Sequence, residues 1–151
     1  MLKEKALQVA LTQLGKAEEP KNSNWGKPVQ DYLASVGITF PASWCAAFVY
    51  WCFQKTCIDL KIPNPLVKTG GVLAHWNKAN VKYRVTSPAP GDIFIMDFGK
   101  GLGHTGIVES VTSTHINTIE GNSNDEGSRE GYEVCKRSRP KTSIKGYLRY
   151  V

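Results

Sequence analysis

Apolar and polar positions divide the chain into a helical first half and a stranded second half. Leu2, Ala6, Val9, Ala10, Gln13 and Leu14 follow the three-to-four spacing of an amphipathic helix, which Gly15 ends. Glu18 to Pro28 is a polar loop broken by a single Trp. Val29, Tyr32, Leu33 and Val36 then predict a second short helix, stopped by Gly37. The run from Ser43 to Phe53 contains no glycine, proline or charge. Pro41 and Ser43 precede it, a breaker followed by a side-chain oxygen able to cap free backbone N–H groups. Apolar residues occupy every side of this third helix, as suits one buried at the centre of a domain. After Pro63, Pro65 and a turn at Thr69-Gly70-Gly71, Val72 to Lys78 predicts a fourth helix with Leu73 and Trp76 facing inward.

From Pro90 the period changes to two. Strands are expected at Gly91–Phe98, His104–Val111, His115–Asn122, Glu133–Arg137 and Ile144–Val151. A glycine-rich loop at Gly99–Gly103, a turn centred on Thr112-Ser113-Thr114 and a polar loop at Ser123–Gly131 separate them. Helices followed by an antiparallel meander give an α+β domain over residues 1–151, the N-terminal helices packing on a C-terminal sheet of about five to six strands.

Composition narrows this little. Hydrophobic content of 41% with 21% charged residues fits a folded chain with a sizeable core. The net charge of +6 favours an anionic partner: nucleic acid, an acidic polymer or the bacterial wall. No alternation of aromatic and basic residues supports nucleic acid. The one basic cluster, Lys136 to Lys141, reads as a solvated strand end and turn. Cys45, Cys52, Cys57 and Cys135 form no CxxC pair and no Cys/His comb, so no metal is expected. Cys45 and Cys52 lie about 10 Å apart along their helix, too far for a disulfide; a Cys57–Cys135 bridge stays open. The first residues have no apolar core of signal-peptide type, and no stretch suits a membrane span.

Cys45 falls in the first turn of the central helix. There the helix macrodipole favours negative charge and should lower a thiol's pKa, although a cysteine there is also a common core residue. The strands alter the balance. His104, Glu120 and Asn122 share even parity across the second hairpin, so they project from one face; the turn sets His104 opposite Asn122 with Glu120 one diagonal step away, and one ladder step of register shift reverses the two. The glycines around His104 leave space for an approaching group. His75 is expected at the surface or in a groove. A thiol at a helix start and an imidazole oriented by an acid or amide are the parts of nucleophilic thiol catalysis. The Cys45 N–H is a natural oxyanion donor, and the Asn22–Trp25 loop is the candidate source of a second.

Four segments resemble the CHAP domain, the cysteine- and histidine-dependent amidohydrolase/peptidase family of papain-like fold: Trp44-Cys45-Ala46-Ala47-Phe48-Val49, Pro90-Gly91-Asp92-Ile93, Gly103-His104-Thr105-Gly106-Ile107-Val108 and Glu120-Gly121-Asn122. The resemblance runs from about Leu14 to Arg149. It implies Cys45 as nucleophile and His104 as base and then acid. It implies Glu120 as the group that orients His104, and Asn122 as a further support of the same ring. Asp92 reads as structural. Some members carry an acidic calcium loop before the cysteine; Ile38–Ser43 has no carboxylate, so neither calcium nor another cofactor is expected. The implied substrate is peptidoglycan, cut as an N-acetylmuramoyl-L-alanine amidase or a peptide endopeptidase, with Asn24, Trp25, Trp44 and Trp76 as candidate substrate contacts and Trp51 assigned to the core. The expected protein is a monomer that is neither membrane-embedded nor bound to nucleic acid. It would be made in the cytoplasm and reach the wall by export, injection or phage-mediated release, with an immunity protein as partner if it is a secreted effector. Two other readings stand beside this one: a thiol protease or acyltransferase on a non-wall substrate, and a non-catalytic wall-binding module.

Overall fold

The buried run predicted around Cys45 forms helix α3, Cys45–Leu60, and the rest of the molecule is layered about it. The computed structural model describes residues 1–123 and 131–151. Helices α1 (Leu2–Thr12) and α2 (Lys27–Ser35) pack against α3, and α4 (Val72–Lys78) lies on the sheet beside it. Ten of the sixteen α3 residues are buried, including both alanines of its first turn, which let neighbouring elements come close. The residue capping its start is Trp44, not Ser43 as the sequence suggested, and no side chain caps it.

Among the described residues six strands follow: β1 (Arg84–Val85), β2 (Ile93–Gly99), β3 (Leu102–Val111), β4 (His115–Ser123), β5 (Glu133–Pro140) and β6 (Gly146–Leu148). They form one antiparallel sheet in the order β1-β6-β2-β3-β4-β5. The fold is α+β with helices first and sheet second, as read from the sequence. Ile93, Ile95, Ile107, Ile119 and Leu148 face the helices and join their core. Phe94, Met96, Val108, Ile116 and Tyr147 form a second apolar cluster on alternate positions.

The β3–β4 register decides the site. At the tip Val111 pairs with Ile116, and an irregularity at Glu109 shifts the register so that Ile107 pairs with Ile119. Extended along the strands, that second register sets His104 against Asn122 and Gly106 against Glu120, as the predicted turn required. The β2–β3 connection is tighter than expected, a turn at Lys100-Gly101. The two-residue β1 was not predicted, and β5 continues past Arg137 to Pro140. The polar stretch predicted at Ser123–Gly131 lies, for residues 124–130, outside the described residues.

Candidate active site

Cys45 is the first residue of α3, and 6% of its surface is exposed. The chain reaches it through Trp44, which is anchored at two points. Its backbone N–H donates to Asn122 Oδ1 at 2.6 Å, and its indole Nε1 donates to Glu18 Oε2 at 2.8 Å. The Trp44 ring stacks on Tyr32 with centroids 5.5 Å apart. Gly121 makes room for it: a Cβ there would lie 2.7 Å from the indole and 2.8 Å from Phe48 Cβ. Helix start and strand end are therefore pinned together, which fixes where the sulfur sits.

His104 on β3 and Glu120 on β4 are both fully buried. Their face of the sheet is not solvated, in contrast to an ordinary polar sheet surface. His104 Nε2 lies 2.8 Å from Glu120 Oε1. Glu120 also accepts from Thr118 Oγ1 at 2.6 Å, from Arg139 Nε at 2.9 Å and from Arg139 Nη2 at 2.6 Å. Four donors thus occupy the two carboxylate oxygens. Burial by itself raises the Glu120 pKa, but the bonds from Arg139 and His104 outweigh it and hold the carboxyl at about 2. An ionised carboxylate accepts only, so Nε2 carries the proton of this bond.

The other ring nitrogen, Nδ1, is buried with no hydrogen bond formed. Cys45 is the first of the neighbours that favour charge on the ring. Burial pulls the His104 pKa down, yet the interaction with Cys45, and next that with Glu120, push it up to about 9. A sulfur at a helix start beside a cationic ring backed by a carboxylate can attack a carbonyl carbon and pass a proton to a leaving group.

Several expectations require correction. The hydrogen bonds of Asn122 go to the backbone and not to the ring. Its Oδ1 holds Trp44, and its Nδ2 donates to Gly131 O at 2.6 Å, so its amide is committed to the backbone on both sides. The physical reason is its left-handed conformation, φ 58°, at an irregularity where β4 leaves register with β5. The glycines near His104 do not open space. A Cβ on Gly106 would lie 2.7 Å from the Phe94 ring and 2.9 Å from Glu120 Cγ, so the bare backbone lets Glu120 lie against β3. Gly103 packs in the same way, on Met96 O and Val72.

Trp44 is buried and offers no ring to a substrate, whereas Trp51, assigned to the core, is partly exposed with Lys55 Nζ 5.4 Å from its ring centre. Trp25 is half-buried against the main core, and Asn24 precedes it with φ 55° in the α1–α2 loop. Trp76 lies at the β6–β1 edge, packed on Gly146 and Arg84, with β2 separating β6 from the His104 strand. His75 is buried rather than in a groove; it bonds Tyr150 Oη at 2.9 Å, and burial lowers its pKa to about 4.

Arg139 is the member that sequence reasoning missed. The run Lys136 to Lys141 was read as solvated, but Arg139 is only 9% exposed. Period-two alternation puts Cys135, Arg137 and Arg139 on the face of Glu120, since Cys135 pairs directly with Glu120. That parity was the available signal. Cys57 and Cys135 are not bridged. Asp92 is buried, accepting two bonds from Arg149, at 2.9 and 2.8 Å, and one from the Ala89 N–H at 2.8 Å. Among the described residues no three His, Cys, Asp or Glu side chains are placed to share a metal ion, and no helix is long and apolar enough to cross a membrane.

Comparison with known families matches residues 37–122 to the CHAP domain, more than half of the 151 residues. The chain belongs to the CHAP domain family. The match begins just before α3 and ends at Asn122, so it contains Cys45, His104 and Glu120, while Arg139 lies beyond it. Neither the curated proteins nor the solved structures contain a match to this chain. The family is one of peptidoglycan hydrolases and related amidases, dependent on cysteine and histidine.

Proposed function

We propose that this CHAP domain hydrolyses an amide bond of peptidoglycan, as an N-acetylmuramoyl-L-alanine amidase or a stem-peptide endopeptidase, with Cys45 as nucleophile. The observation that carries the reading is the His104 ring. One nitrogen is committed to an ionised Glu120, the other is buried with no hydrogen bond formed, and the interactions with Cys45 and Glu120 raise the pKa to about 9. At neutral pH such a ring is a cation, the natural counter-charge of a thiolate.

In the first step Cys45 Sγ attacks the amide carbon, and the carbonyl electrons move to oxygen. The oxyanion is met by the N–H of Cys45 at the helix start. His104 gives its Nδ1 proton to the departing amine as the C–N bond breaks, leaving a thioester and a neutral imidazole. Water then loses a proton to Nδ1 and attacks the thioester carbon; the C–S bond breaks and the thiolate–imidazolium pair returns. Glu120 keeps its charge throughout and holds Nε2–H. The basic chain suits the anionic wall. Export, injection or phage-mediated release would bring such an enzyme to its substrate, and a secreted form calls for a neutralising immunity protein.

Digestion of purified sacculi of known composition, with fragment masses read out, tests this. New amine ends at the muramoyl–alanine bond or within the peptides support it, and their position selects between the two activities. Sacculi left intact by the wild-type protein, or cut equally by Cys45→Ala, contradict it.

A further inference from the structure

A groove of about 580 Å³ lies at the far edge of the sheet, and none of the candidate catalytic residues lines it. Trp76, Arg84, Val85, Lys141, Ile144 and Tyr147 are among its walls. Its β1 and β6 strands are separated from β3 by β2, whereas His104, Glu120 and Arg139 occupy β3, β4 and β5. Val85, Ile144 and Tyr147 belong to the second apolar cluster and give the groove an apolar side.

Its charge is of one sign. Arg84, Lys141 and Lys145 line it and, among the described residues, no carboxylate does. Lys145 is partly neutralised by Asp97 at 3.6 Å, and among the described residues neither Arg84 nor Lys141 has an acidic partner. Arg84 is also held in place. Its guanidinium lies 4.1 Å from the Trp76 ring centre, and Nη2 donates to Trp76 O at 3.1 Å. Trp76 in turn is seated on Gly146, where a Cβ would come 2.4 Å from the indole. A guanidinium fixed by stacking and by one hydrogen bond has already lost much of its side-chain freedom, so an anion binding its remaining N–H groups costs less entropy.

We propose that this groove binds an anionic glycan, a sugar ring lying against the apolar side and its carboxylate or phosphate reaching Arg84 and Lys141. In an enzyme acting on the wall it would hold the protein on the polymer while the Cys45 site samples bonds. That role rests on the proposed function; the binding does not.

Binding is measured with Cys45→Ala protein, so that turnover plays no part. The probes are walls carrying phosphodiester polymers, the same walls after acid extraction of those polymers, and soluble polygalacturonate. The double variant Arg84→Gln/Lys141→Gln is compared with Lys5→Gln/Lys16→Gln, which removes the same charge from exposed positions elsewhere. The proposal expects the groove variant to bind at least about tenfold more weakly and the control to lose much less. Loss on acid extraction assigns the anion as phosphate; binding to polygalacturonate assigns carboxylate. Equal weakening in both double variants, or no binding of the parent to any probe, overturns the proposal. Binding that tracks the groove, together with a wild-type protein that leaves sacculi intact, overturns the hydrolase reading and leaves this one standing.

Discussion

Arg139 and Glu120 face each other through two parallel hydrogen bonds, Nε to Oε2 at 2.9 Å and Nη2 to Oε1 at 2.6 Å, in a buried setting. The fork geometry is one that lysine cannot reproduce. It makes Arg139 a positioning residue, acting on His104 only through the carboxylate. Truncating one partner of a buried pair leaves the other uncompensated, so Arg139→Gln should cost about 3–5 kcal/mol of stability. In the variant that stays folded, the Glu120 pKa should rise from about 2, and the acid limb of the activity profile should move to higher pH. Arg139→Lys should recover part of both. Chemical denaturation and a pH–rate profile check this; an unchanged acid limb would leave Arg139 with a structural role alone.

Asn122 bridges Trp44 N–H and Gly131 O, and so joins the start of α3 to the end of β4. Asn122→Ala leaves a buried N–H and a buried carbonyl unpaired, at a cost of about 1–3 kcal/mol for each. Activity should fall because the sulfur loses its fixed place, and the His104 pKa should fall toward its value in Cys45→Ala. Titration of His104 in Cys45→Ala and in Cys45→Ala/Asn122→Ala separates the two roles: a further drop in the double variant would mean that Asn122 supports the ring directly.

The pH dependence of stability follows from two opposed shifts. His104 is raised from 6.5 to about 9, so its contribution is complete below 6.5 and is lost as pH rises through 9. Glu120 is lowered from 4.5 to about 2, so its contribution is complete above 4.5 and is lost as pH falls through 2. Thermal melts should show greatest stability between about pH 4.5 and 6.5 from these two groups. His104→Gln should flatten the decline between pH 6.5 and 9; a decline of the same depth in that variant would assign it to other groups.

The His104–Glu120 contact was legible in the sequence because the predicted turn gives both residues one parity, and the irregularity at Glu109 restores that register from the one-residue-shifted pairing at the tip. Helix α3 was legible because an uncharged apolar run has few other destinations. The roles of Asn122 and Arg139 were not. Asn122 sits where a left-handed residue breaks the alternation that parity arguments need. Arg139 sits in a basic run, and composition favours solvent for such a run; only the carboxylate across the sheet makes its burial favourable. The tryptophans misled for a related reason: an indole is apolar enough for the core and polar enough for a groove, and it was Gly121 and Glu18 that took Trp44 inside.

The central claim is that Cys45 and Glu120 together hold the His104 ring as a cation poised to give up its proton. Titration of the His104 ring by NMR, in the wild-type protein and in Cys45→Ala, tests it most directly. The account predicts a wild-type pKa near 9 and a clearly lower value once the sulfur is removed. A wild-type ring titrating near 6.5, or one that Cys45→Ala leaves unmoved, would contradict it.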